Sequence, residues 1–84
     1  MKKRILKNRL LILIQERERK IGRRIKMKDL ADFAGVTYPT LRSWTQNDVR
    51  KYEAQIIEGF CEYFDCDVAD LLYFEWEEVE KAPE

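Results

Sequence analysis

Apolar residues recur every three or four positions from Arg4 to about Arg19, which is the spacing of a helix that buries one face. The stripe consists of Leu6, Leu10, Leu13 and Ile14. Ile5, Leu11 and Ile12 lie off this stripe, so the first predicted helix is apolar over more than one face. The extra face packs either on the C-terminal segment or on another chain.

A basic connector and a short second helix follow. The connector runs from Lys20 to Lys26, and the first helix is expected to end at its glycine, Gly22. The second helix is expected over about Met27–Ala34, ending at Gly35, because glycine readily adopts the left-handed backbone of a sharp turn. Its inward face consists of Leu30, Ala31 and Ala34.

The signals for a third helix are a cap, a proline and a pair of inward-facing residues. Thr37 is a good N-cap, and Pro39 lies in the first turn, where its missing N–H is no loss. Leu41 and Trp44 are three residues apart, so both face the core. The helix is expected to end near Gln46.

Two more helices complete the expected fold. From Glu53 to Phe64 one face is apolar, and it consists of Ile56, Ile57, Phe60, Cys61 and Phe64. Asp67 is expected to cap a last short helix with Asp70 in its first turn. The core face of that helix consists of Val68, Leu71 and Leu72. Because every segment is predicted to be helical, the expected fold class is all-α: one compact five-helix domain over 1–84, with its core within about 4–76 and a frayed tail at 77–84.

Charge is distributed unevenly along the chain, although the total is zero. Residues 1–28 carry 12 Lys and Arg against two acids, whereas residues 52–84 carry 11 acids against one lysine. This asymmetry predicts a basic surface for an anionic partner. The alternative is that the two ends neutralise one another inside the fold.

Residues suited to catalysis or metal binding are scarce. The chain has no histidine, the commonest general base and metal ligand. Cys61 and Cys66 have no second ligand pair, so they are expected to be reduced and buried rather than bound to zinc. We therefore expect no enzyme, metal, cofactor or small-molecule ligand. No apolar run approaches the ~20 residues of a membrane span, and a cytoplasmic location is the default.

The run LADFAGVTYPTLRSW, residues 30–44, resembles the lambda-repressor-like family, also called Cro/CI-type or XRE. The residues that match the family pattern are Leu30-Ala31, Gly35-Val36-Thr37, Leu41 and Trp44. KNRLLILI is similar to the family's first helix, and FCEYFDCDVADLLYF to its fourth and fifth, so the resemblance covers about Lys7 to Phe74. It implies a helix-turn-helix at helices 2 and 3 of a DNA-binding domain.

Two positions depart from the family pattern. The connector at 18–26 is several residues longer than usual and unusually basic. Where the family often has a glutamine that reaches a phosphate, this chain has Met27, flanked by Lys26 and Lys28. A lysine is able to make that contact less selectively.

The resemblance implies that a recognition helix at about Tyr38–Gln46 enters the major groove. With Leu41 and Trp44 buried, the opposite face points outward. The residues implied to contact base edges are Tyr38, Pro39, Arg42 and Ser43. An arginine there is able to bridge O6 and N7 of guanine, a contact worth ~1–3 kcal/mol of base discrimination.

Contacts to the DNA backbone are expected from the cap residue and from basic residues around the motif. A hydroxyl or N–H at the start of a helix is well placed to meet a phosphate, and lysine or arginine neutralises one. The candidates are Thr37, Lys26, Lys28, Arg23, Arg24, Arg50 and Lys51. Thr37 is expected to be structural whatever the function.

The expected function is sequence-specific binding of double-stranded DNA by a small prokaryotic or phage transcriptional regulator in the cytoplasm, associated with the nucleoid. One such domain buries little surface, so a homodimer on a two-fold site is expected. The candidate interface residues are Ile5, Leu11, Ile12, Tyr73, Phe74 and Trp76. The alternative is a protein-interaction module, antitoxin-like or anti-repressor-like, that keeps the fold without DNA binding and works through its acidic segment. Single-stranded RNA binding is disfavoured, because the connector has no interleaved aromatic residues.

Overall fold

The computed structural model describes residues 1–78, which form five helices and a two-stranded sheet. In chain order the elements are β1 (Lys2–Asn8), α1 (Leu10–Ile21), α2 (Met27–Ala34), α3 (Tyr38–Thr45), α4 (Ala54–Phe64), α5 (Val68–Leu71) and β2 (Leu72–Glu78). The helices surround one core, and β1 and β2 form an antiparallel pair that we call the ribbon. Among residues 1–78, no helix is long and apolar enough to span a membrane.

The prediction of an all-α fold is wrong, because both ends of the chain form strands. Residues 4–8 were expected in the first helix but belong to β1, and α1 begins only at Leu10. Glu77 and Glu78 were expected in a frayed tail but complete β2, while residues 79–84 lie outside the described residues. β1 pairs with β2 at the opposite end of the chain; Asn8, for example, lies opposite Leu72. Because strand formation here depends on this distant pairing, the local residue pattern does not indicate it.

The ribbon brings the basic start of the chain against its acidic end. Lys2 lies opposite Glu78 and Lys3 opposite Glu77, and the α-amino group of Met1 is 3.6 Å from the Glu78 carboxylate. Each cross-strand pair of opposite charge stabilises a sheet by ~0.2–1 kcal/mol. Part of the charge asymmetry is therefore neutralised within the fold, while the basic residues between Arg19 and Lys28 stay on the surface.

The core is built around Trp44, whose side chain is 2% exposed. Its ring meets Phe60 edge to face with the centroids 4.8 Å apart, and meets Tyr52 in the same way at 5.1 Å. Leu41 is fully enclosed beside it, so the prediction that both residues face inward is confirmed. The other core residues are Leu10, Ile14, Ile25, Leu30, Ala31, Phe60, Phe64 and Leu71. Val68 was expected in this core but is 54% exposed.

Local signals set the helix ends in the middle of the chain. α2 ends at Gly35, whose φ of 71° lies in the left-handed region, as expected. Thr37 caps α3 by accepting the N–H of Thr40 at 3.4 Å. Asp67 and Asp70 form a reciprocal capping box at the start of α5.

The first helix extends into the basic connector as far as Ile21, and the rest of the connector, residues 22–26, is a loop. α1 ends at Ile21, and Gly22 donates its N–H to the Glu18 carbonyl at 2.9 Å. The Glu18 carboxylate then accepts the N–H of Ile25 at 2.8 Å. Because Ile25 is buried in the core, the chain is held at both ends of the loop, and Arg23 and Arg24 between them are exposed.

A hydrogen-bond network joins the base of the ribbon to the end of α3. Asn47 has a left-handed φ of 59°, and its Oδ1 accepts from the backbone N–H of Asn8 at 2.9 Å and from Nδ2 of Asn8 at 3.2 Å. Nδ2 of Asn47 donates to the Tyr73 hydroxyl at 3.4 Å. Oδ1 of Asn8 accepts the N–H of Leu10, the first residue of α1, at 2.9 Å. Asn8 is the one buried polar residue of the described chain, so the network satisfies a group that cannot reach water.

Replacing Asn47 tests this network. Asn47→Gly keeps the left-handed backbone but leaves Asn8 without its acceptor, so the free energy of unfolding is expected to fall by about 1–3 kcal/mol. Asn47→Ala adds the cost of a left-handed residue, about 1–2 kcal/mol more. Urea unfolding followed by circular dichroism measures both, with Gln46→Ala at the neighbouring exposed position as the control. A stability of Asn47→Gly equal to wild type contradicts the role of the network.

Candidate nucleic-acid interface

The turn between α2 and α3 orients the two helices of the candidate interface. The N–H of Val36 donates to the carbonyl of Ala31 at 3.0 Å, which ties off the end of α2, and the Val36 side chain packs against the core. Because Leu41 and Trp44 are buried on one side of α3, the opposite side of this helix faces solvent. A short, rigidly held helix therefore presents one polar ridge on the surface.

The residues expected to contact base edges lie on or near this ridge. Tyr38 is 58% exposed, and Pro39 and Arg42 are exposed as well. Ser43 is half-buried, and its hydroxyl donates to the Pro39 carbonyl at 3.1 Å. The Ser43 proton is thus already used inside the helix, and its oxygen is left as an acceptor.

Tyr38 and Arg42 share a small depression with the start of α2. The depression has a volume of about 110 Å³, and its lining residues are Met27, Tyr38, Leu41, Arg42 and Thr45. Met27 therefore lies beside the ridge. Thr45 was not among the predicted site residues, although its spacing of three from Arg42 places it on the same helix face.

The predicted phosphate-contact residues fall into separate groups. Arg23, Arg24 and Lys26 line one depression of about 270 Å³, together with Asp29 and Tyr63. Lys28 is exposed in the first turn of α2. The connector and the start of α2 therefore form one basic surface, which we call the connector patch.

The remaining candidates lie outside the connector patch. Arg50 lines a depression with Lys3 and Arg4 at the ribbon, and Lys51 is exposed beside it in the chain. Thr37 is exposed at the cap of α3, where its hydroxyl is 2.9 Å from that of Thr40. The sequence pattern predicts a helix at Arg4 and therefore gives no sign of the proximity of β1 to Arg50.

The basic candidate residues are free of carboxylate partners within the part of the chain that the structure describes. Across residues 1–78, the one ion pair within 4.0 Å joins the N-terminus to Glu78. The exposed basic candidates are Arg23, Arg24, Lys26, Lys28, Arg42, Arg50 and Lys51. Their charges are thus directed at solvent, as an anion-binding surface requires.

The two cysteines lie side by side at the end of α4, away from the candidate interface. Both are free thiols. The sequence predicts that they are buried, whereas in the structure both are only half-buried. The N–H of Cys66 donates to the Cys61 carbonyl at 3.0 Å. Burial raises the pKa of the Cys66 thiol to about 11 and also raises the pKa of Cys61, so both thiols are neutral near pH 7.

Comparison with protein families identifies this arrangement. The family model for the Cro/C1-type HTH DNA-binding domain matches residues 9–77, a span that begins just before α1 and ends within β2. No curated protein and no solved structure matches the chain. The matched span includes α2, the turn and α3, as the resemblance seen in the sequence requires. The chain therefore belongs to the Cro/C1-type helix-turn-helix family of DNA-binding domains.

Proposed function

We propose that this domain binds double-stranded DNA in a sequence-specific manner and acts as a small transcriptional regulator of prokaryotic or phage type. The observation that carries the proposal is the exposed ridge of α3, formed by Tyr38, Pro39 and Arg42 opposite the buried Leu41 and Trp44. In a helix-turn-helix, the second helix enters the major groove with such a ridge against the bases. We assign this role to α3. We expect the protein to act in the cytoplasm, at the nucleoid.

Each ridge residue suits a particular base contact. Arg42 is exposed and has no carboxylate within 4.0 Å among residues 1–78, so its guanidinium is available to bridge O6 and N7 of a guanine. Tyr38 and Pro39 offer apolar surface to a thymine methyl group. The Ser43 oxygen is suited to accept a hydrogen bond from an adenine or cytosine amino group.

Affinity in this proposal comes from phosphate neutralisation. The connector patch is adjacent to α2, which crosses the DNA backbone in a helix-turn-helix, so Arg23, Arg24, Lys26 and Lys28 are assigned to phosphates. The exposed N-cap Thr37 is assigned a further phosphate at the start of α3. Arg50 and Lys51 would contact the backbone beyond the other end of α3.

A protein-interaction module is the second candidate function. The acidic residues that follow the helix-turn-helix remain exposed, and the exposed set on α4, α5 and the turn between them consists of Glu58, Glu62, Asp65, Asp67 and Asp70. Such a surface is suited to a basic protein partner. Arg42→Glu together with Lys28→Glu decides between the two functions. If the double variant no longer binds DNA but still exerts its regulatory effect in cells, the result supports the interaction module. If both DNA binding and the regulatory effect are lost, it supports DNA recognition.

Replacing Arg42 tests base recognition. Arg42→Ala is expected to weaken binding of the preferred duplex by ~1–3 kcal/mol, roughly 5- to 150-fold, and to relax selection at one base pair. Selection of bound duplexes from a random pool, followed by fluorescence anisotropy, measures both effects. The control is Lys28→Ala, which should weaken all sequences nearly equally. Unchanged selectivity in Arg42→Ala contradicts the assignment of Arg42 to a base edge.

The salt dependence of binding tests the connector patch. The double substitution Arg23→Gln and Arg24→Gln is expected to reduce the slope of log K against log salt by up to about 1.8, because each lost phosphate contact removes roughly 0.9. Lys2→Gln with Lys7→Gln removes the same charge from β1 at positions that do not line the depression of Arg50, and serves as the matched control. An equal reduction in both variants would show that net charge, rather than the connector, sets the slope.

A further inference from the structure

The turn that ends α4 brings the two cysteines of the chain together. Asp65 follows the last residue of the helix in the left-handed conformation, with a φ of 49°. Its N–H donates to the Glu62 carbonyl at 3.4 Å, while the N–H of Cys66 donates to the Cys61 carbonyl at 3.0 Å. These two hydrogen bonds define a Schellman motif, in which the side chains at the positions of Cys61 and Cys66 commonly touch. We call Cys61 and Cys66 the thiol pair.

The two side chains of the thiol pair interact directly. Burial has the largest effect on the pKa of each thiol and raises both, while a hydrogen bond between the two thiols lowers the pKa of Cys61 and raises that of Cys66. Such a hydrogen bond requires neighbouring sulfur atoms. The turn therefore holds two sulfur atoms side by side before any ligand binds, as a chelating site requires.

The thiol pair is accessible from solvent on an acidic part of the surface. Both side chains are half-buried, and Cys66 lines a depression of about 520 Å³ between α1 and α5. Glu16 and Asp70 line the same depression. The one basic residue of the lining, Arg9, has its guanidinium 4.3 Å from the centroid of the Tyr73 ring. The depression therefore gives a cation a path to the sulfur atoms.

The number and kind of ligands decide which cation fits. Among residues 1–78, no group of three or more His, Cys, Asp or Glu side chains is arranged to hold a metal ion. Zn²⁺ in proteins takes at least three protein ligands, so the thiol pair alone does not suit it. Mg²⁺ and Ca²⁺ prefer oxygen ligands. Cu⁺ is selected by soft sulfur ligands and is stable with two of them.

We propose that the thiol pair binds one soft cation of the Cu⁺ class through the sulfur atoms of Cys61 and Cys66. Each thiol releases its proton to solvent as its sulfur–metal bond forms, so two thiolates and one Cu⁺ give a singly negative site. No electron is transferred, and no oxidant is needed. The thiol pair lies away from α3, so this site goes beyond the proposed function and does not depend on it.

A bound ion links the end of α4 to the start of α5. Cys66 immediately precedes Asp67, which caps α5. At the other end of α5, the Leu71 carbonyl accepts the N–H of Arg9 at 2.7 Å, just before α1. The ion is therefore expected to stabilise the packing of α5 beside the start of α1. Because the folded chain holds the two sulfur atoms together and the unfolded chain does not, binding favours the folded state.

Competition for Cu⁺ tests the site directly. Reduced protein is titrated under nitrogen into the coloured complex of Cu⁺ with bicinchoninate, and loss of colour reports transfer of the ion to the protein. We expect transfer of one Cu⁺ per chain, with one chain and one ion in the complex seen by native mass spectrometry. Wild-type protein that takes no Cu⁺ from the chelator overturns the proposal, as does an ion shared between two chains.

Substitution of each cysteine tests whether both sulfur atoms bind the ion. Cys61→Ser and Cys66→Ser each remove one soft ligand, and each is expected to weaken Cu⁺ binding by roughly 100-fold or more, because a second ligand held on the same molecule adds about that much. Circular dichroism checks that the variants fold. Binding as tight as wild type in either variant overturns the proposal.

A relocated cysteine separates the geometry of the turn from the mere presence of two thiols. Cys61→Ser with Glu58→Cys keeps two cysteines but moves one of them about 4.5 Å along the axis of α4, to an exposed position. This variant is expected to bind Cu⁺ as weakly as the single variants. Wild-type affinity in this variant contradicts a site made by the Schellman motif.

Thermal unfolding with two different ions tests the expected selectivity. Cu⁺ at one equivalent is expected to raise the midpoint of unfolding, measured by circular dichroism under nitrogen, in wild type and not in Cys66→Ser. Zn²⁺ at the same concentration is expected to leave the wild-type midpoint nearly unchanged. A larger increase with Zn²⁺ than with Cu⁺ assigns the site to an ion with more ligands and overturns the proposal.

Discussion

The burial of Trp44 decides which side of α3 meets solvent, and the candidate interface depends on it. The indole contacts Phe60 from α4 and Tyr52 from the loop that precedes it, so α3 is held from a direction that neither α2 nor the turn provides. Rotation of α3 about its axis would expose the indole and bury Arg42, which has no carboxylate partner among the described residues. Hydrophobic burial and the desolvation cost of a lone cation thus favour the same orientation.

Asn47 extends this constraint from α3 to the ends of the chain. Its left-handed backbone ends the helix, and its amide is hydrogen-bonded to Asn8 before α1 and to Tyr73 in β2. α3, α1 and the ribbon therefore meet at one polar cluster, in which Asn8 is buried. Loss of Asn47 leaves the donors of Asn8 without their acceptor away from water, so these parts are expected to hold their positions together.

The parts of the fold that follow from local chemistry could be predicted, and those that depend on distant pairing could not. Gly35, Thr37 and the spacing of Leu41 and Trp44 specify α2, the turn and α3 within a few residues. Leu6 continues the helical spacing of Leu10, so the local pattern predicts a helix at β1. The residue that pairs with Leu6 in the strand is Phe74, more than sixty residues away, and local spacing carries no sign of it. The ridge on α3 could be predicted for the same local reason, whereas the placement of Arg50 beside β1 could not, because it depends on the ribbon.

The ribbon also changes what the charge asymmetry means. Lys2 and Lys3 face Glu78 and Glu77 across the strands, so the basic charge at the start of the chain contributes to strand pairing. The basic residues of the connector have no such partners in residues 1–78, and Glu18 and Ile25 hold that loop beside α2. A zero net charge is therefore compatible with an anion-binding surface, because Arg23, Arg24 and Lys26 have no carboxylate within 4.0 Å among residues 1–78. The local charge of the connector beside α2, rather than the total charge of the chain, is therefore the quantity that bears on the proposed phosphate contacts.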